Sequence, residues 1–140
     1  MTEREVHFEG KVAQKALVVR SDGKVLVTRD SRDPDTWELP GGRLNLGEKP
    51  VEGLERELKE ELGVECVAEK VVLIEQAQQA QEGSAALFLI YQVSIKDETK
   101  ELTVDPIEIA EMDWVDAGTW GQYKYFSEYE LALKKHFDQA

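Results

Sequence analysis

The chain has 140 residues, 41% hydrophobic and 33% charged, which is the composition of one folded domain rather than of a disordered chain. Its 29 acidic and 17 basic residues give a net charge of −12. That balance argues against nonspecific binding to nucleic acid, where phosphate contacts need Lys and Arg, but it admits an anionic small molecule if metal ions supply the positive charge.

Cys66 is the sole cysteine, so no intramolecular disulfide forms, which fits a reducing compartment. The opening MTEREVHFEGK is too polar for a signal peptide. The longest apolar run, AALFLIY at 85–91, is far too short to span a bilayer. These readings place the protein in the cytoplasm and off the membrane.

In chain order, residues 11–30 predict two strands, ALVV and VLV, flanking Ser21-Asp22-Gly23. Asp-Gly is a strong turn signal, so the pair reads as a hairpin. Residues 31–49, with two prolines and three glycines, read as a long loop of the kind that carries function. A helix follows. Pro50 suits its first position, Val51, Leu54, Leu58 and Leu62 form an apolar stripe, and Gly63 suits its C-terminal cap. Lys49 offers no capping oxygen. Residues 64–75 and 85–95 predict strands, with QAQQAQEGS between them as a turn or loop. Residues 110–116 predict a short strand, and 126–139 a closing amphipathic helix. Mixed strands with two helices predict a layered α/β domain occupying 1–140.

The helix is crowded with acid. Six glutamates fall between Glu48 and Glu61. At ~100° per residue, Glu57, Glu60 and Glu61 share an arc beside the leucine stripe. Exposed like charges at such spacing repel by a few tenths of a kcal/mol per pair. Clustered carboxylates with little histidine favour hard cations such as Mg²⁺, Mn²⁺ or Ca²⁺. A solvated acidic face would look similar, with Arg56 and Lys59 alongside.

The flanks decide between these readings. Gly42, Glu48 and the run Arg56-Glu57-Leu58-Lys59-Glu60-Glu61-Leu62-Gly63-Val64 stand at the defined spacings of the Nudix box. Trp37-Glu38-Leu39-Pro40-Gly41-Gly42 resembles the usual lead-in. The chain therefore resembles the Nudix hydrolases of MutT type. The resemblance implies an α/β/α sandwich with a mixed β-sheet, in which the box forms a loop–helix–loop. It implies metal-dependent hydrolysis of a phosphoanhydride in a nucleoside diphosphate linked to another group, with Mg²⁺, or alternatively Mn²⁺, as cofactor.

By the same resemblance, Glu57, Glu60 and Glu61 match the metal-binding carboxylates, and one of them would take a proton from water. The Gly41 carbonyl would add a ligand. Arg56 matches an orienting residue that pairs with a box glutamate, and Glu48 either a structural brace at the start of the helix or an indirect contact to the metal. Glu52 and Glu55 match unspecified positions and read as solvated. Gly53, costly in a helix by roughly 0.5–1 kcal/mol, reads as room for close packing against the sheet. Glu108, six residues before Trp114, fits a further catalytic or metal-binding acid, with Glu111 as the alternative. Trp37 reads either as a core anchor or as a ring on which a base stacks, and with Gly42 it is a substrate-contact candidate. Trp120, Tyr123, Tyr125 and Phe126 are candidates for a base pocket or for plain packing. His7 and His136 carry no partner pattern.

The substrate is less legible. Downstream of the box, residues 78–82 carry neither the proline expected for ADP-ribose nor the tyrosine expected for dinucleoside polyphosphates. The resemblance then favours a nucleoside triphosphate cleaved to monophosphate and pyrophosphate. ADP-ribose or nucleotide sugars, dinucleoside polyphosphates or capped RNA ends, and a noncatalytic nucleotide sensor are the alternatives. The partner is a small-molecule nucleotide, with homodimerisation left open.

Overall fold

The computed structural model describes residues 5, 7–79 and 84–138. Seven strands and two α-helices follow in the order β1 (Gly10–Val18), β2 (Val25–Asp30), β3 (Trp37–Glu38), β4 (Gly41–Arg43), α1 (Pro50–Leu62), β5 (Cys66–Gln79), β6 (Ser84–Ile95), β7 (Ile109–Val115) and α2 (Ser127–Asp138). One sheet runs β4-β1-β6-β5 and the other β3-β2-β7. The first sheet is mixed, since β1 pairs parallel with β6 and antiparallel with β4.

Period-two alternation explains the layers. Ala13 and Leu17 of β1 face a core completed by Tyr129, Ala132 and Leu133 of α2. Ala16 and Val18, on the opposite face, meet Leu54, Leu58 and Leu62 of α1. In β2, Val25 and Val27 join the first core and Leu26 the second. The sheets are thus held between the two helices, as the α/β/α expectation requires. No described helix is long and apolar enough to cross a membrane.

The hairpin expectation for 11–30 needs correction. The turn forms, with the Gly23 N–H donating to the Arg20 carbonyl at 2.9 Å and Gly23 at φ +86°. Only the Val19–Val25 bridge joins its two sides. Beyond it the strands part into different sheets, because β4 and β6 occupy both edges of β1 while β3 and β7 occupy both edges of β2. The loop at 31–49 also carries the short strands β3 and β4. Of the predicted stripe on α1, Val51 stays exposed. β5 extends to Gln79, so part of the predicted turn is strand; residues 80–83 of that turn and Gln139 of the closing helix lie outside the described residues.

Two local features set the site. Gly63 ends α1 at φ +72°, its N–H donating to the Lys59 carbonyl at 2.9 Å. Between Arg29 and Asp30 the pairing of β2 with β7 shifts register. Such irregularities re-aim side chains, and here the shift lies beside Glu108.

Candidate active site

The helix start is organised by Arg56. Its guanidinium donates to Glu48 Oε2 at 3.0 and 2.8 Å, to both oxygens of Glu60 at 3.2 Å, and to Glu57 Oε1 at 3.5 Å. Glu48 also accepts the Asn45 N–H at 3.2 Å. The Arg56 hydrogen bonds hold the Glu48 carboxyl below the usual range. Glu48 therefore braces the helix through Arg56 and the preceding loop; Lys49, at the N-cap, gives no side-chain cap. Gly53 makes room for this brace rather than for the sheet, since a Cβ there would lie 2.5 Å from the Glu48 carboxylate. Glu55, read from sequence as solvated, accepts the Ala68 N–H at 2.9 Å and ties α1 to β5.

The glycine pair lies against the other side of α1. Gly41 has φ +140°, and a side chain there would run into the Gln14 carbonyl. Its N–H donates to Glu61 Oε2 at 3.2 Å. A Cβ on Gly42 would lie 2.7 Å from the Glu57 carboxyl carbon. β4 thus presses its backbone onto the carboxylates of α1.

A cleft of about 370 Å³ opens here, and Gly41, Gly42, Glu57, Glu61 and Glu108 line it. Glu108 comes from the segment before β7, held in place where the Ser31 N–H donates to its carbonyl at 3.2 Å and the Ser31 hydroxyl donates to the Ile107 carbonyl. Burial pushes the Glu61 carboxyl up to about 7, with Glu57 and Glu108 adding to the rise and Lys15 and the Gly41 N–H opposing it. Burial also raises Glu57, against the pull of Arg56. Acids raised by desolvation and lining one cleft make it a candidate functional site.

Three predicted site residues stand elsewhere. The Glu60 side chain is 61% exposed and bound to Arg56, and the structure does not bring it into the cleft. Glu111 pairs with Arg29 at 2.7 Å. Trp37 is buried, its ring 4.3 Å from that of Tyr123, so it anchors the core and does not reach the cleft. Trp120 and Tyr125 pack likewise, whereas Phe126 lines a neighbouring cavity.

Sequence reasoning missed the cations. Lys15, Arg32 and Arg43 line the cleft, together with Asp30 and Glu38. Lys15 was detectable in principle: it alternates with Ala13 and Leu17 on a core-facing strand side, where a charge needs a reason.

These carboxylates suit a hard divalent cation by their oxygen chemistry. Among the described residues no group of three or more His, Cys, Asp or Glu side chains is placed to hold a metal ion. An open arc still fits Mg²⁺, which keeps several waters and binds through one or two carboxylates plus substrate phosphates.

A family model described as NUDIX domain matches residues 11–129, and the chain belongs to that family. A MutT-like protein of Streptomyces ambofaciens is 49% identical over 53 residues, covering 38% of this chain and 34% of that protein. Nudix hydrolase 2 of Arabidopsis thaliana is 26% identical over 125 residues, covering 86% of this chain and 44% of that protein. These matches span less than half the length of either curated relative. Among solved structures, the MutT protein from Methanosarcina mazei Go1 superposes with a TM-score of 0.76 at 20% identity, over 94% of this chain and 96% of that one. That likeness carries the fold.

Proposed function

We propose that this domain hydrolyses a phosphoanhydride bond in a small nucleotide, and that its substrate is a nucleoside triphosphate cut to monophosphate and pyrophosphate. The observation that carries the reading is the meeting of Glu57, Glu61 and Glu108 in one cleft, beside Gly41 and Gly42. Glu57 and Glu61 would hold Mg²⁺ or Mn²⁺, with Glu108 and the Gly41 carbonyl as further donors. Bound there, the ion would neutralise phosphate oxygens and acidify water.

The chain's own residues then have distinct tasks. Glu61, pushed up to about 7 in the metal-free cleft, must be ionised to hold the ion, so metal binding would couple to loss of its proton. Glu57 is kept against the backbone of Gly42 by its neighbour Arg56. Glu60 balances Arg56, and joins the site only if that ion pair opens. Lys15, Arg32 and Arg43 supply positive charge to a substrate that enters an otherwise acidic cleft.

The test is a panel of nucleoside triphosphates, ADP-ribose, nucleotide sugars, dinucleoside polyphosphates and 5′-capped RNA, with Mg²⁺ or Mn²⁺ and with EDTA. Triphosphates should give monophosphate and pyrophosphate by chromatography, and EDTA should stop the reaction. Cleavage of another member alone would move the substrate; binding without any cleavage would support a sensor.

A further inference from the structure

Lys15 is unusual among the cleft residues. Its side chain is 13% exposed and grows from the middle of β1, which also carries the buried Ala13 and Leu17. Among the described residues its one ion pair, to Glu38 Oε1, is long at 3.9 Å. Its ammonium lies 5.8 Å from the centre of the Tyr129 ring. Among the described residues it donates no hydrogen bond, and its nitrogen is not sealed from solvent. An ammonium has three donors, so a mostly buried one without hydrogen bonds has donors to offer a ligand.

Its position shows which ligand. A second cavity, of about 330 Å³, adjoins the cleft, and Lys15, Glu38, Gly42 and Arg43 line both. The cleft beyond that neck holds Glu57, Glu61 and Glu108, whereas the second cavity has Phe88, Phe126 and Tyr129 in its wall, with Glu128 beside them. Phe126 is 46% exposed there. A ligand spanning both needs a phosphate chain at one end and a flat apolar group at the other.

We infer that Lys15 is a substrate-binding residue, which holds the phosphate nearest the nucleoside at the neck between the cleft and the aromatic cavity. This rests on the proposed nucleotide hydrolysis but names a residue and a direction of binding that the box does not. The nucleoside points toward Phe126, and the remaining phosphates point toward Glu57 and Glu61. An ammonium on a phosphate oxygen gives a charge-assisted hydrogen bond, about twice as strong as a neutral one.

Binding without metal separates this inference from the reading beneath it. Calorimetry would compare guanosine with its 5′-monophosphate, and adenosine with its own, on wild type, Lys15→Met and Lys15→Arg. In the wild type the monophosphate should bind about tenfold tighter than the nucleoside, the step one charge-assisted contact gives. Lys15→Met should erase that ratio while leaving nucleoside affinity unchanged, and Lys15→Arg should restore part of it. In turnover, Lys15→Met should raise KM more than it lowers kcat. An unchanged ratio in Lys15→Met, with melting temperature preserved, overturns the inference. Loss of nucleoside and monophosphate binding alike would also overturn it, because Lys15 would then be structural. Absence of hydrolysis with the binding pattern intact would instead count against the proposed reaction alone.

Discussion

Replacing Glu61 by Gln should stabilise the metal-free protein above neutral pH while destroying its activity. In the unfolded chain Glu61 titrates near 4.5, but in the fold burial holds it at about 7. A carboxyl raised on folding opposes folding only once it must ionise. The penalty is absent below about pH 4.5, grows as the pH rises, and is complete above 7. The 2.5-unit difference corresponds to about 3 kcal/mol. Gln has nearly the same shape, can still accept the Gly41 N–H, and carries no charge. For a chain of this size the gain should raise the melting temperature by roughly 10 °C. Thermal melts of wild type and Glu61→Gln in EDTA, from pH 4 to 8.5, would read it. The curves should coincide near pH 4 and diverge toward pH 8. A pH-independent difference, or a variant less stable than wild type at pH 8, would refute the reasoning. Stability surrendered at a functional site is a common trade.

Gly42→Ala should keep the melting temperature within a few degrees, because the new Cβ meets the end of a flexible side chain, 2.7 Å away. It should nevertheless cut kcat at least about tenfold by displacing the Glu57 carboxylate, since small misplacements are expensive in catalysis. Equal activity would mean that Glu57 need not lie against that backbone. Glu108→Gln should lower turnover about tenfold or more, whereas Glu111→Gln, which removes only an exposed partner of Arg29, should lower it less than about threefold. The reverse order, in steady-state assays, would assign the later acid wrongly.

Much of this was legible in the sequence because the information is local. Box spacing, the leucine stripe, Pro50 and Gly63 are decided within a few residues of one another, and they placed α1 correctly. Residues 11–30 failed for the opposite reason. A turn signal fixes a turn, but which edge each strand pairs on depends on β4, β6, β3 and β7 competing for it. Glu60 and Glu61 stand three and four residues after Glu57, so helical spacing alone put all three in one arc; the preference of Arg56 for Glu60 and of the Gly41 N–H for Glu61 separates them. Trp37 had two readings, and the ring of Tyr123, eighty-six residues on, supplied the structural one. Lys15 carried a signal, a charge on the core-facing side of β1, but that it lines one cleft with Glu38, Glu57 and Glu61 depends on tertiary packing.

The most direct test of the central claim is manganese binding followed by electron paramagnetic resonance, on wild type and on the Glu57→Gln/Glu61→Gln double variant. The account predicts that wild type quenches the signal of free Mn²⁺ and that the folded double variant loses at least about tenfold in affinity. Equal binding by the two proteins would contradict the claim that these carboxylates, desolvated in the cleft beside Gly41 and Gly42, hold the metal.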